Sequence, residues 1–317
     1  MKRIYSVPRF ILMFLWIASA MIGCGGGGGT PPLSYSGVLS QAPIHSANAE
    51  VMATGALVGA ETGAVLTLSS NLPGDIKPAS NHPFVLDLPK ILRRSANHAD
   101  WRAGGQLSVQ RTESETVPGT CGGSLSYNLT VDDATGDFVG VFVFSDYCDD
   151  GITLNGRVDA DGSIDLIASE FDIINFHFDN LSSADFVFAG DISLDETGPS
   201  SLITMDSLLE DTISDKVYWF KDYVMTVTEI NGVDTEIGIT GVFYDPDYGY
   251  VNVSTPDPFI FVSNDEWPSS GTMLCEGSGN TTAKLIAVDS QSYRIDADTN
   301  GDTIDDYFSG VQLWADL

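Results

Sequence analysis

The chain has 317 residues, of which 44 are Asp or Glu and 14 are Lys or Arg, so its formal net charge is −30 at pH 7. This acidity excludes nucleic acid as a partner, because binding to phosphates requires a basic surface. With 43% hydrophobic residues the chain is not disordered as a whole, and its length suffices for one large β domain or two smaller ones.

Residues 1–23 have the three parts of a signal peptide. Basic residues come first, residues 10–22 are almost entirely apolar, and Gly23 precedes Cys24. The apolar run is too short for a comfortable membrane span. A small residue before a Cys at this place is typical of lipoprotein processing. We predict cleavage before Cys24, with attachment of a diacylglycerol to its thiol and of a further fatty acyl chain, such as palmitate, to the new amino group.

An alternative is ordinary secretion, with cleavage after Ala20 at the end of a small-x-small triplet. The glycines at 25–29 favour the lipoprotein, because residues 24–33 then form a flexible tether. Acyl chains anchor firmly, since each buried methylene contributes about 0.8 kcal/mol. Gly25 in place of Asp resembles enterobacterial lipoproteins of the outer membrane. We therefore predict attachment to the bacterial outer membrane, on either its periplasmic or its surface face.

Charge is unevenly distributed along the predicted mature chain. Removing residues 1–23 leaves 11 basic residues against 44 acidic ones, a net charge of −33. Six of the 11 lie within residues 77–111, and these are Lys77, Lys90, Arg93, Arg94, Arg102 and Arg111. Such a segment docks either on the acidic body of the protein or on anionic headgroups, and intramolecular docking is the simpler hypothesis.

The N-terminal part of the mature chain, residues 34–111, is predicted to be mainly helical. Residues 34–40 have the pattern of a short strand. A helix capped by Ser46 is expected to run to about Gly59, followed by a loop over 63–83. Residues 86–101 form a second predicted helix, with Leu88, Ile91 and Leu92 on one face.

From residue 112 to 317 strand signals dominate. The segments with alternating or β-branched and aromatic residues are 125–131, 138–144, 171–178, 186–194, 218–228, 237–244 and 248–253. Turn dipeptides are Asp150-Gly151, Asn155-Gly156, Asp161-Gly162, Asn231-Gly232 and Asn300-Gly301. Strands so close in sequence, with no helices between them, must pair antiparallel.

Three glycines recur inside strand patterns, at Gly156, Gly190 and Gly241. A glycine in a strand often marks a bulge or a sharp bend. The predicted fold class is therefore mainly β. We expect an antiparallel meander that forms a strongly curved sheet or an open barrel, with one or two N-terminal helices.

One disulfide is expected, because an exported protein folds in an oxidising compartment. Cys24 is committed to lipid, and three cysteines remain. Residues 132–136 are predicted to form a hairpin turn between two strands. If the turn is centred between Ala134 and Thr135, residues that face each other across the hairpin have numbers that sum to 269. This register pairs Leu125 with Phe144 and also Cys121 with Cys148. We predict a Cys121–Cys148 disulfide and a buried free thiol at Cys275.

No catalytic residues are predicted. The four histidines lack zinc-ligand spacing, and neither His-Glu-x-x-His nor Gly-x-Ser-x-Gly occurs. A pair of carboxylates like that of a glycosidase remains open, but in so acidic a chain a surface location is the simpler interpretation. We therefore expect a protein that is not an enzyme.

One segment has residues suited to a hard cation, and no other cofactor is expected. Asp296, Asp298, Asn300 and Asp302 present oxygen atoms at every second position, with Gly301 allowing a tight turn. The glutamate that closes a Ca²⁺ loop at its twelfth position is absent in both possible frames. We therefore favour an acidic hairpin turn, with a weak Ca²⁺ site as the alternative.

Several stretches together resemble predicted lipoproteins of Gram-negative bacteria that have no assigned activity. They are Cys121-Gly-Gly-Ser124, Tyr147-Cys-Asp-Asp-Gly151, residues 241–251 with Ser254-Thr-Pro256, and residues 298–317. The resemblance implies neither catalytic residues nor a ligand. Our leading hypothesis is a membrane-anchored envelope lipoprotein with a non-enzymatic binding or structural role and an unknown protein or small-molecule partner. The alternatives are a carrier of an apolar ligand in the concave face of the sheet and a Ca²⁺-binding surface protein.

Overall fold

The computed structural model describes residues 31–68, 110–149, 151–165, 170–262, 265 and 267–317. The signal peptide, Cys24 and the helix predicted at 86–101 lie outside these residues. The described residues contain one α-helix, fourteen β-strands in a single sheet and two short 3₁₀ turns.

The helix and strands follow one another in a simple order. Helix α1 is Ala49–Leu68. The strands are β1 Gln110–Pro118, β2 Gly122–Asp132, β3 Asp137–Asp149, β4 Ile152–Asp165, β5 Glu170–Ser182, β6 Phe186–Asp195, β7 Ser201–Asp211, β8 Lys216–Ile230, β9 Asp234–Asp245, β10 Gly249–Phe261, β11 Ser270–Glu276, β12 Thr282–Asp289, β13 Ser292–Asp298 and β14 Tyr307–Leu313. Each strand pairs antiparallel with the next in chain order, and β1 does not meet β14. The predicted antiparallel meander is confirmed, in its open form.

One face of the sheet is buried and aromatic. Alternate residues of the strands point to the same side, and this inner face carries Phe142, Phe176, Phe188, Phe220 and Phe243, all at most 2% exposed. Helix α1 lies against the inner face of β6–β9 and β11–β13. Between β6 and β13 the inner face of the described sheet is therefore covered by the protein's own helix.

Small residues let α1 approach the sheet closely. A Cβ at Gly55 would collide with the ring of Phe243, and one at Gly59 with the ring of Phe220. Gly59 therefore marks close packing rather than the helix end that was predicted there, and α1 continues to Leu68. The helix begins at Ala49 rather than after Ser46. The buried Asn48, just before it, accepts a hydrogen bond from His45 N–H and donates one to the Pro43 carbonyl.

Bulges curve the sheet where the three strand glycines predict bends. Gly156 faces a register shift in β5, where Asn180 adopts a φ of 49°. Gly241 faces a similar shift in β8, where Asp222 has a φ of 52°. A Cβ on either glycine would clash with the bulged strand. Because bulges bend and twist a strand, their repetition explains the curvature.

Two other expectations are wrong. Residues 34–40 form no strand, because β11 leaves only the first residues of β10, before Asn252, free to pair; there Gln41 makes a single parallel bridge to Tyr250. The dipeptides Asn155-Gly156 and Asp161-Gly162 do not form turns, because both lie inside β4, where the glycines accommodate extended backbone with positive φ.

The disulfide between Cys121 and Cys148 is present, with the two Cα atoms 5.1 Å apart. The predicted register holds from Leu125 against Phe144 to Val131 against Phe138. It shifts by one residue beyond Ser124, because β3 is bulged there, and Gly122 rather than Cys121 lies opposite Cys148. Cys275 is a buried free thiol, as predicted.

Candidate functional site

A row of charged side chains crosses the outer face of the sheet. Asp159 of β4 is opposite His177 of β5, His177 is opposite Asp191 of β6, and Asp191 is opposite Asp206 of β7. Opposed residues share a face, so the four side chains stand side by side on the solvent side. We call the surface formed by Asp159, His177, Asp191 and Asp206 the outer groove.

Hydrogen bonds hold this row in place. The distance from His177 Nδ1 to Asp191 Oδ1 is 2.7 Å. Arg157 donates from Nε and Nη2 to the two oxygens of Asp159, at 2.9 and 3.1 Å. These bonds join His177 to Asp191 and Arg157 to Asp159 on the outer face of the sheet.

A second row lies beside the first. Asn175 Nδ2 donates to Asp161 Oδ1 at 3.0 Å, and the Ser193 hydroxyl donates to Asn175 Oδ1 at 2.7 Å. The two rows line an open cavity of about 730 Å³ that reaches the bulge at Asp222. The lining is rich in hydrogen-bond acceptors, since a carboxylate has no donor when ionised.

Aromatic side chains lie at the β8 end of the groove. The indole Nε1 of Trp219 donates to Asp206 at 2.7 Å, and its ring stacks on Tyr244 with centroids 4.7 Å apart. The Lys221 ammonium lies 5.3 Å from the Trp219 ring centroid. Tyr35, from the segment before α1, packs on both Trp219 and Tyr244.

The Tyr35 hydroxyl donates to the carbonyls of Val38 and Asp245, and burial raises its pKa above the ordinary value. A smaller cavity of about 530 Å³ lies between this segment and the sheet, and Asp206 lines both cavities. The outer groove therefore extends from the acidic row to the aromatic cluster.

The two charged residues at the centre of the groove are open to solvent. His177 and Asp191 side chains are 60% and 72% exposed. The closest hydroxyl on β6, Ser193, donates to Asn175 instead of to the imidazole. A nucleophile within hydrogen-bonding reach of the base, which covalent catalysis requires, is thus not provided by Ser193.

A second cavity lies on the inner side, between α1 and the sheet, with a volume of about 590 Å³. Its floor is apolar and includes Phe186, Leu209 and Phe220, and Val58 of α1 lines the opposite wall. Carboxylates of Glu50, Asp185, Glu210, Asp211 and Asp316 are also part of the lining. This inner pocket is the feature that bears on the carrier hypothesis.

The segment suggested for Ca²⁺ connects β13 to β14 and is tied together by its own backbone. Asp298 accepts hydrogen bonds from the N–H groups of Asn300, Gly301, Asp302 and Thr303. Desolvation acts to raise the Asp298 pKa, but these four donors outweigh it and hold the pKa below the ordinary value.

Asp296 is bonded differently, since its Oδ2 accepts from Arg294 Nε at 3.0 Å. Among the residues described, no three His, Cys, Asp or Glu side chains are grouped so as to hold a metal ion. The Ca²⁺ site therefore stays a prediction from the sequence.

The cysteines have structural roles where the structure describes them. Cys121 and Cys148 form the disulfide, and burial raises the pKa of Cys275 to about 12, which makes its thiol unreactive. Cys24 lies outside the described residues. No helix in the described parts of the chain is long and apolar enough to cross a membrane.

The outer groove was not found from the sequence. The alternation in Phe176-His177-Phe178 places His177 on the face opposite the two buried phenylalanines. The row itself depends on the register of β4 to β7, which is shifted by bulges at both ends of the β4–β5 pairing and at one end of the β5–β6 pairing. Comparisons with known proteins add nothing here, because no protein family, curated protein or solved structure matches the chain.

Proposed function

We propose that the protein is a lipid-anchored lipoprotein of the bacterial outer membrane that acts by binding and not by catalysis. The Gly23-Cys24 site and the glycines after it support the anchor. Leu33 is nine residues after Cys24, and its N–H donates a hydrogen bond of 3.1 Å to Asn180 Oδ1 of β5. The chain is therefore already attached to the sheet at this residue. The intervening residues would then be the tether. The disulfide agrees with export to an oxidising compartment.

The outer groove is the proposed binding surface, and its open row of opposed Asp and His side chains is the observation that carries this proposal. Its carboxylates outnumber Arg157 and Lys221, so a ligand with amine donors fits it best. The protein's own Lys221 shows how an amine is held by an aromatic ring and a carboxylate. Its ammonium lies over the Trp219 ring and 4.0 Å from Asp222 Oδ2.

A linear polyamine tests the groove directly. We expect spermidine to bind the mature protein in calorimetry and Asp191→Asn with Asp206→Asn to weaken binding about tenfold or more, which corresponds to roughly 1.4 kcal/mol. Asp215→Asn, which removes one charge at the exposed β7–β8 turn, is the control. If the groove variant and the control bind spermidine equally, the attraction is only the general acidity of the chain and the groove assignment fails.

The inner pocket supports a second candidate, a carrier of an apolar ligand. Its aromatic floor is the specific observation in favour. Val58→Trp would fill the space beside α1, whereas Val139→Trp places the same ring on the outer face. For a carrier, lipid extraction and mass spectrometry of protein purified from membranes would yield a stoichiometric apolar molecule that only Val58→Trp removes. The proposed function predicts that no such molecule is found.

A further inference from the structure

The two free edges of the sheet differ in chemistry. Among the described residues β1 pairs only with β2, and β14 pairs only with β13. Strand β1 carries Arg111, Glu113 and Glu115 at alternate positions and ends in Pro118. Charged residues and proline are the devices by which natural proteins prevent an edge strand from pairing with another chain. The β1 edge is therefore protected.

Strand β14 has neither charged residues nor proline. Its sequence, Tyr-Phe-Ser-Gly-Val-Gln-Leu, contains no proline and no Asp, Glu, Lys or Arg. Three apolar side chains of this strand are exposed, with Phe308 at 63%, Val311 at 65% and Leu313 at 53%. Ile304, in the loop before β14, is 68% exposed. In a chain this acidic, an uncharged and apolar edge is a surface suited to pairing.

Two acids beside this edge are paired with basic side chains. Asp296, opposite Phe308, is bonded to Arg294, which is itself opposite Val311. Asp305, in the loop before β14, pairs with Lys284 at 2.9 Å. Like charges that face each other across a strand pair are destabilising. These two ion pairs lower that penalty when β14 meets a strand with the same surroundings.

We infer that two copies of the chain associate through their β14 strands, which pair antiparallel about a two-fold axis. The backbone N–H and C=O groups on the free side of β14 can form hydrogen bonds with the backbone of a second extended strand. Since β1 is protected, β14 can meet only another β14, and the assembly closes at a dimer instead of growing into a fibre. A bulge at Gly310, with φ of 78°, centres the pairing on Val311–Leu313.

Cysteine cross-linking in the full chain tests the dimer in the oxidising envelope. We expect at least one of Phe308→Cys, Val311→Cys and Leu313→Cys to give a disulfide-linked dimer on a non-reducing gel. Matched controls are Ser114→Cys on the protected β1 edge and Val139→Cys on the outer face of β3, both exposed. Equal cross-linking of the controls, or no dimer from any β14 cysteine, would overturn the inference.

Sedimentation equilibrium of the detergent-solubilised lipoprotein supplies an independent readout. We expect a monomer–dimer equilibrium that shifts at least tenfold toward monomer with Val311→Lys and is unchanged with Val139→Lys. Added salt should strengthen the dimer, because the two acidic bodies repel each other at low ionic strength. A wild-type chain that stays monomeric, or a dimer that Val311→Lys leaves intact, contradicts self-pairing and leaves the edge to a strand of another protein.

Discussion

Replacing Glu61 with Gln should stabilise the protein at alkaline pH and leave its stability at pH 5 nearly unchanged. Glu61 is on α1, and its Oε2 is buried without a hydrogen-bond partner even though the residue as a whole is partly exposed. Burial raises the pKa of this carboxyl from 4.5 to about 8. The folded state thus holds a proton that the unfolded state releases at lower pH.

The sign of the pH dependence follows from this difference. Between pH 4.5 and about 8 the folded protein binds more protons than the unfolded chain, so the free energy of unfolding falls as pH rises. Each pKa unit corresponds to about 1.36 kcal/mol, which sets an upper bound of roughly 5 kcal/mol. Partial exposure and local relaxation reduce the effect to about 2–4 kcal/mol. For a domain of this size that is a rise in Tm of about 5–10 °C.

Thermal unfolding followed by circular dichroism at pH 5 and pH 9 measures the effect. Glu229→Gln, at an exposed position on β8, is the matched control and should change Tm little at either pH. A Glu61→Gln variant whose Tm difference from the wild type is the same at both pH values would show that Glu61 is not buried as a neutral acid.

The remaining predictions concern stability and metal binding. Replacing both Cys121 and Cys148 with Ser should lower the free energy of unfolding by about 3–4 kcal/mol, measured by urea denaturation, because the disulfide closes a loop of 27 residues in the unfolded chain. Gly59→Ala should destabilise the protein by about 1–2 kcal/mol in the same assay; overlap with the Phe220 ring outweighs the gain of about 1 kcal/mol in helix propensity, and a stabilised variant would refute the close packing of α1. Asp298→Ala should destabilise the β13–β14 loop, which hydrogen exchange detects. It should also abolish any rise in Tm caused by millimolar Ca²⁺, and an unchanged rise would exclude Asp298 as a ligand.

Much of the fold follows from local sequence patterns. The alternation from Leu125 to Val131, the turn after Asp132 and the aromatic residues of β3 determine the β2–β3 hairpin and bring Cys121 close to Cys148. The strand glycines indicate the bulges because a Cβ there has no room. These features are encoded within a few residues of one another, so they can be recognised without knowledge of the tertiary structure.

Other features depend on contacts between distant segments. Strand β4 contains Asn155-Gly156 and Asp161-Gly162, which have the composition of turns, and only pairing with β3 and β5 keeps them extended. Strand β7 was not predicted, although its buried positions alternate with polar residues such as Thr204 and Asp206, because it has no aromatic residue and only one β-branched apolar residue, Ile203. The outer groove requires the register of four strands at once, and bulges shift that register in ways that local patterns do not reveal.

Mass spectrometry of the N-terminal peptide of the protein purified from membranes tests the proposed lipoprotein most directly. We expect a peptide that begins at Cys24 and carries the mass of a diacylglyceryl group and one further acyl chain, and the Cys24→Ser variant should be absent from membranes or remain unprocessed. An unmodified peptide that begins at Met21 would show ordinary secretion, with cleavage after Ala20, and would contradict the lipid anchor.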